Sequence, residues 1–370
     1  MMKPIYLDNQ ATTPLAPEVF DAMLPWLKDN FGNPHSPHVI GRRAAAAVEV
    51  ARDQVAGLLP KNGRVIFTGS ATEAINLAFG SARTMAGQGR DQIAVIDTEH
   101  AAVRDTALWY GTQGFDSRLL PVGRDGLVDL EELASCLGSK TALVGAMLVN
   151  NEIGVIQPVE QITDMAHRAG ALMLCDAVQG FGRVDIPQHA DLIALSGHKI
   201  YGPKGIGALW VRDGIDLPPL IHGGGQEQGI RSGTLSPALC AGLGVAAQIC
   251  AERHQQDKTH IAGLATRAQS LFGDWTVNGS LHQRYAGNLN IRRDGLDIAR
   301  LMSDVRGVAF SAGSACASGS GRPSHVLAAL GLEPAQIKSS IRLGFGRYNS
   351  IEEVEQAAQL INQAAENQLS

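Results

Sequence analysis

The sequence predicts an α/β fold: a mainly parallel sheet with helices between its strands, followed by a smaller α+β unit. Three observations predict it. Short apolar runs alternate with longer helical stretches from residue 65 to residue 211, the pattern of strands joined by helical crossovers. Two of these runs, Ala171-Leu172-Met173-Leu174-Cys175 and Ala190-Asp191-Leu192-Ile193-Ala194-Leu195, are apolar almost throughout, as in strands buried on both faces. Beyond residue 236 come two long helices and then a second, shorter alternation of strand and helix.

The elements follow in order. A helix is expected around residues 17–28, and a long Ala-rich one over 37–59. Val65-Ile66-Phe67 reads as a short strand, and Gly69-Ser70-Ala71-Thr72-Glu73 leads into a helix. Further strands are expected at 92–96, 143–149, 171–175, 191–195 and 206–211, with helices near 101–110 and 159–169. The Gly-rich segment His222-Gly223-Gly224-Gly225-Gln226-Glu227-Gln228-Gly229 closes this block. Helices over 236–253 and 260–272 lead to the small unit. Its strands are expected at 287–291, 308–311 and 341–344, and its helices at 296–302 and 351–363. There is no internal repeat, and Ser318-Gly319-Ser320-Gly321 reads as a mobile loop too short to link domains.

Composition excludes several classes. The chain has 370 residues, of which 45% are hydrophobic and 18% charged, an ordinary globular balance that suits two domains. The net charge of −5 comes with no basic tract, so direct contact with nucleic acid is not expected. No apolar run reaches the roughly 20 residues that span a bilayer, and Met1-Met2-Lys3-Pro4-Ile5 lacks a signal-peptide stretch. The expectation is a cytosolic protein without membrane association. The five cysteines form no Cys-x-x-Cys pair, so neither a disulfide framework nor a metal site is expected. Cys136, Cys175, Cys240 and Cys250 read as small core residues.

The chemistry centres on Lys199. It lies in Ser196-Gly197-His198-Lys199 directly after one buried-looking strand, while the other ends in Asp176. Ligands of open α/β sheets bind beyond the carboxyl ends of strands. A lysine suited to imine chemistry, an acid to hold a pyridinium nitrogen and small polar residues for a phosphate are what pyridoxal phosphate requires. The turn Tyr201-Gly202-Pro203-Lys204-Gly205 fixes the position of Lys199, which a solvated surface lysine would not need. Gln179 follows Asp176 closely enough to reach the same ring if the chain turns helical there. Ser70 and Thr72 enter a helix whose free N–H groups can seat an anion, although either residue also suits a plain cap. His100, after the strand at 92–96, can stack on a ring and carry protons, or simply start a helix. Arg342 can fork onto an amino-acid carboxylate or serve a structural ion pair. Cys316 stands in Gly313-Ser314-Ala315-Cys316-Ala317-Ser318, where nearly every neighbour is small. A thiol on such a pliant loop suits a nucleophile that approaches a site and leaves it, an inert loop thiol being the alternative.

Taken together these segments resemble the cysteine desulfurases, pyridoxal-phosphate enzymes of the class V aminotransferase group. The resemblance runs through Tyr6-Leu7-Asp8-Asn9-Gln10-Ala11-Thr12-Thr13-Pro14, Phe31-Gly32-Asn33-Pro34-His35-Ser36, Ala71-Thr72-Glu73 and Glu99-His100. It continues through Val149-Asn150-Asn151-Glu152-Ile153-Gly154, Asp176-Ala177-Val178-Gln179 and the Lys199 segment. It ends with Arg231-Ser232-Gly233-Thr234, Gly313-Ser314-Ala315-Cys316 and Ser340-Ile341-Arg342. Each motif is moderately specific alone; in this order the set is very specific.

The resemblance implies an aspartate-aminotransferase-like fold. Its large domain, residues 14–256, would carry a mainly parallel seven-stranded sheet. Residues 1–13 and 257–370 would form a small α+β domain bearing the cysteine loop. It implies that Lys199 holds the cofactor covalently and later moves the Cα proton. Asp176 pairs with the pyridinium, Gln179 bonds the ring hydroxyl, and His100 stacks on the ring as an acid and base. Thr72, Ser196 and His198 would hold the phosphate, with Thr234 supplied by the other subunit of a homodimer. Asn151 and Arg342 would bind the carboxylate of L-cysteine, and Cys316 would accept its sulfur. The Gly313-Ser314-Ala315-Cys316 form looks like the branch with a long mobile cysteine loop.

Sulfur would pass to an acceptor protein, an iron–sulfur scaffold or a thiolation protein. Two departures stand out. The chain stops soon after the last helix, where housekeeping relatives carry a scaffold-docking extension, and Gln228 replaces a common Arg or Lys. The competing readings are a selenocysteine lyase, another class V enzyme acting on a small amino acid, or a sulfur carrier without catalysis.

Overall fold

The computed structural model describes residues 4–313 and 323–370. Its strands, in chain order, are β1 (Ile5–Tyr6), β2 (Gly63–Thr68), β3 (Gln92–Ile96), β4 (Asp116–Leu120), β5 (Thr141–Met147), β6 (Leu172–Asp176), β7 (Leu192–Ser196), β8 (Gly207–Arg212), β9 (Thr276–Val277), β10 (Asn288–Arg292), β11 (Val308–Ala309), β12 (Ser311–Ala312) and β13 (Ser340–Gly344). Its α-helices are α1 (Pro17–Lys28), α2 (Val39–Ala56), α3 (Ala71–Ala86), α4 (Ala101–Thr112), α5 (Leu130–Cys136), α6 (Val159–Arg168), α7 (Pro237–Leu271), α8 (Ile298–Asp304), α9 (His325–Ala329), α10 (Pro334–Lys338) and α11 (Ile351–Leu369).

A seven-stranded sheet runs β2-β8-β7-β6-β5-β3-β4. The stretch from β7 to β4 is parallel, and β8 lies antiparallel to both of its neighbours. Side chains alternate across the strands. Ile93, Val95, Leu174 and Leu192 face α3 and α4, where Ile75, Phe79, Val103 and Tyr110 pack on them. Ala94, Ile96, Met173 and Ile193 face the opposite layer, with Val48 of α2, Ile162 of α6 and Leu243 of α7. Helices on both faces explain why β5, β6 and β7 are apolar at nearly every position.

A four-stranded antiparallel sheet, β12-β13-β10-β9, builds a second core with α8, α11 and the C-terminal half of α7. β1 pairs in parallel with β11, which fastens the N-terminal segment to this unit.

Several short elements, among them α5, α9 and α10, carry no expectation from sequence, and three larger differences bear on the fold. The two helices expected at 236–253 and 260–272 are one continuous 35-residue helix, α7, which passes from the first core into the second. The strand expected at 308–311 divides at Phe310, where the chain leaves β1 and joins β13. β4 went unread because it is an edge strand, Asp-Ser-Arg-Leu-Leu, exposed along one side.

Candidate active site

The parallel sheet creates the site. β4 lies on one side of β3, whereas β5 and β6 follow on the other. The segments leaving β3 and β5 therefore diverge, and a crevice opens at their carboxyl ends. A cavity of about 520 Å³ occupies it.

Every large-sheet residue singled out above lies at this crevice. His100 caps α4 just beyond β3, and Asn151 lies beyond β5. Asp176 is the last residue of β6, with Gln179 in the turn that follows. Ser196 ends β7, and His198 and Lys199 form the single 3-10 turn after it. Thr72 enters from the start of α3, and Arg342 reaches in from β13 of the small sheet.

Lys199 is held against the N-terminal segment. Its Nζ donates to the carbonyls of Gln10 and Ala11, each at 2.7 Å. Thr13 and Tyr201 fix the turn: the Thr13 hydroxyl donates to the His198 carbonyl at 3.0 Å and accepts from the Tyr201 N–H at 2.7 Å. Tyr201 has φ 65°, a left-handed conformation that a tyrosine adopts only under such restraint.

Asp176 is 3% exposed and accepts the Val178 N–H at 2.9 Å. Burial raises its pKa above the ordinary carboxylate value, and His100, that N–H and Lys199 oppose the rise. His100 accepts the Ala102 N–H on Nδ1 at 3.0 Å. Burial lowers its pKa, against the pull of Asp176. His198 is lowered to about 4, first by burial and then by Lys199, Lys204 and Arg183, so its imidazole is neutral near pH 7. Its Nδ1 lies 3.1 Å from the Thr12 hydroxyl.

The phosphate end keeps both readings of Ser70 and Thr72. Ser70 is a true cap, its Oγ accepting the Glu73 N–H at 3.1 Å, while Thr72 is exposed at the cavity edge. Gly207 makes this arrangement possible. A Cβ there would lie 2.6 Å from the Ser70 carbonyl carbon and 2.8 Å from the Ala71 nitrogen. Only glycine lets β8 run so close under the start of α3. Thr234 is exposed and does not line this cavity. Cys316 lies outside the described residues.

Arg342 is 1% exposed. It donates to Asp8 Oδ1 at 2.7 Å, the Asn151 carbonyl at 2.9 Å and Ser311 Oγ at 3.4 Å. Gln179 donates to the Gln10 carbonyl at 2.9 Å and accepts from Arg183 at 2.7 Å. Gln10, Ala11 and Thr12 carry no local signal of a role of their own in the sequence. They line the cavity, brought there by contacts almost 190 residues apart in sequence.

The donor set fits pyridoxal phosphate. A lysine amine, a buried acid, an unprotonated imidazole and a helix start converge on one crevice. Buried Asn151 Oδ1, Gln10 Oε1 and Arg342 Nε have no hydrogen-bond partner among the described residues.

Comparison with known proteins agrees with this geometry. The Aminotransferase class-V family profile matches residues 5–357. The chain is 41% identical over 372 residues to the cysteine desulfurase IscS of Rickettsia bellii (strain OSU 85-389), covering 98% of this chain and 91% of that protein. It is 42% identical over 369 residues to the cysteine desulfurase IscS of Rickettsia africae (strain ESF-5), covering 97% and 90%. Among solved structures, a NifS-like protein aligns with a TM-score of 0.91 and 30% identity, over 98% of this chain and all (100%) of that one. A structure of SspA in complex with cysteine aligns with a TM-score of 0.82 and 33% identity, over 93% and 99%. The fold, the site and these likenesses agree, and the chain belongs to the class-V aminotransferase family, whose members depend on pyridoxal phosphate.

Proposed function

We propose that the protein is a cysteine desulfurase. It takes sulfur from L-cysteine, releases L-alanine and holds the sulfur as a persulfide on Cys316 for an acceptor protein. The convergence of Lys199, Asp176, His100 and Arg342 on one crevice carries this reading. Likeness to cysteine desulfurases over nearly the whole chain supports it, and a neighbour solved with cysteine supports the substrate.

Bound pyridoxal phosphate supplies an electron sink that stabilises negative charge on the substrate carbon skeleton. Lys199 holds the cofactor and then moves the Cα proton. Asp176 would pair with the pyridinium nitrogen of the bound cofactor, a positive charge that would offset the rise burial imposes on its pKa. Gln179 bonds the ring hydroxyl. Thr72, Ser196 and His198 seat the phosphate, with Thr234 supplied by a second copy of the chain. Arg342 and Asn151 orient the substrate carboxylate.

His100, whose pKa burial lowers, is the base that would take the thiol proton of Cys316. The resulting thiolate attacks the substrate sulfur. An S–S bond forms with the thiolate's electron pair, and the substrate C–S bond breaks. The C–S pair stays on carbon, which takes up a proton to complete alanine. The sulfur then passes to an iron–sulfur scaffold or a thiolation protein in the cytoplasm.

We also infer a large domain of residues 14–256 and a small domain of 1–13 and 257–370. The separate cores on either side of the middle of α7 support this division.

Cys316→Ala tests the proposal. The variant is expected to keep the bound-cofactor absorbance and to lose sulfide release driven by L-cysteine and a thiol reductant. Wild-type sulfide release from it would overturn the persulfide step.

A further inference from the structure

Behind the Lys199 turn lies a second cavity, of about 410 Å³, within the usual size of small-molecule sites. It opens between the two cores and shares no lining residue with the first. Leu148, Ile156, Ile200 and Ile261 give it apolar walls, and Tyr285 and Arg284 add polar ones.

Its electrostatics are unbalanced. Arg284 donates to three carbonyls, those of Ile153 at 2.9 Å, Ser280 at 3.2 Å and Asn288 at 3.3 Å. Its Nε is buried without a partner, and no carboxylate pairs with it among the described residues. Burial alone pulls its pKa down to about 10, with no acid to restore it. Arg183, on the adjoining wall, likewise spends its guanidinium on Gln179 Oε1 and the carbonyls of Asn9 and Lys199. The third guanidinium, Arg347, is already neutralised by Asp257 at 2.7 Å. Asp185 stands exposed at the rim. Tyr285 is 8% exposed and lines the cavity. A cationic group without a counter-ion on a cavity wall is costly unless something negative occupies the space.

We propose that this cavity binds a small organic carboxylate with an apolar body, its carboxylate at Arg284 and the Tyr285 hydroxyl and its hydrocarbon against Ile156, Ile200 and Ile261. A planar carboxylate matches a guanidinium edge, and the apolar walls favour it over a bare inorganic anion. The site stands apart from the proposed desulfurase chemistry: none of its residues is assigned a catalytic or substrate role. Through Arg183, which also holds the Lys199 carbonyl, it abuts the back of the Lys199 turn.

The test is fluorine NMR titration of the cofactor-loaded protein with 4-fluorobenzoate. Three variants are compared: Arg284→Met; Ala262→Trp, which blocks the exposed cavity edge without touching the core; and Arg342→Lys, which marks binding in the first cavity. The expected result is saturable binding to the wild type, weakened at least tenfold in Arg284→Met and in Ala262→Trp, and unchanged in Arg342→Lys. Circular dichroism and the bound-cofactor absorbance confirm that each variant is folded. If Arg284→Met does not fold, Ala262→Trp decides alone. No saturable binding to the wild type, wild-type binding in a folded Ala262→Trp, or binding lost only in Arg342→Lys overturns the proposal.

Discussion

Arg342 and Asp8, 334 residues apart in sequence, form a partly buried ion pair in which Nη2 lies 2.7 Å from Oδ1. The pair ties the small sheet to the N-terminal segment that also grips Lys199. It presets the guanidinium, so under the proposed role a substrate carboxylate would meet an oriented fork without having to order a mobile side chain. The side chain is 1% exposed for Arg342 and 17% for Asp8.

Arg342→Lys keeps the charge but cannot serve Asp8, the Asn151 carbonyl and a substrate together. Steady-state kinetics are expected to show KM for L-cysteine raised about tenfold or more, equivalent to about 1.4 kcal/mol. Cofactor absorbance should not change. An unchanged KM would remove Arg342 from substrate binding.

Glu99 lies beside this site and is 0% exposed. Its Oε1 accepts the Met147 N–H at 2.6 Å, and its Oε2 has no hydrogen-bond partner among the described residues. Burial, and then the Asp176 charge, push its pKa well above the ordinary value. An acid whose pKa is higher folded than unfolded lowers stability once pH exceeds the unfolded value of about 4.3. The loss grows with pH until the folded value is reached. Glu99→Gln keeps the acceptor and removes the titration. Thermal unfolding should give equal Tm for the two proteins at pH 4 and a higher Tm for the variant at pH 8. Equal values at both pH values would mean that Glu99 titrates normally.

Gly207→Ala should push the start of α3 away from β8, because the new methyl meets Ser70 and Ala71 backbone atoms below 3.0 Å. Cofactor affinity, followed by absorbance after dialysis, is expected to fall about tenfold, in line with the loss of a placed anion seat. Retention equal to wild type would show that the α3 start does not seat the phosphate.

Much of the site was legible because its chemistry sits at strand ends. Asp176, Ser196 and the His198–Lys199 turn each follow an apolar run whose boundary the residue types mark. The partners of these residues were not legible. Nothing local shows that Lys199 will bond the Gln10 and Ala11 carbonyls or that Arg342 will pair with Asp8, since folding alone creates those contacts. Helix α1 was read with its true ends, Pro17 at its start and Lys28 at its close. The middle of α7 was misread as a break because Gln255, Gln256 and Lys258 offer no apolar stripe. There the helix crosses between two cores, and continuity comes from packing at its two ends.

The most direct measurement is borohydride reduction of the cofactor-loaded protein followed by peptide mapping. The account predicts one pyridoxyl group fixed on the peptide containing Lys199, and none in Lys199→Ala. A pyridoxyl group on Lys204 or elsewhere, or no adduct in a protein that absorbs as cofactor-loaded, would contradict it.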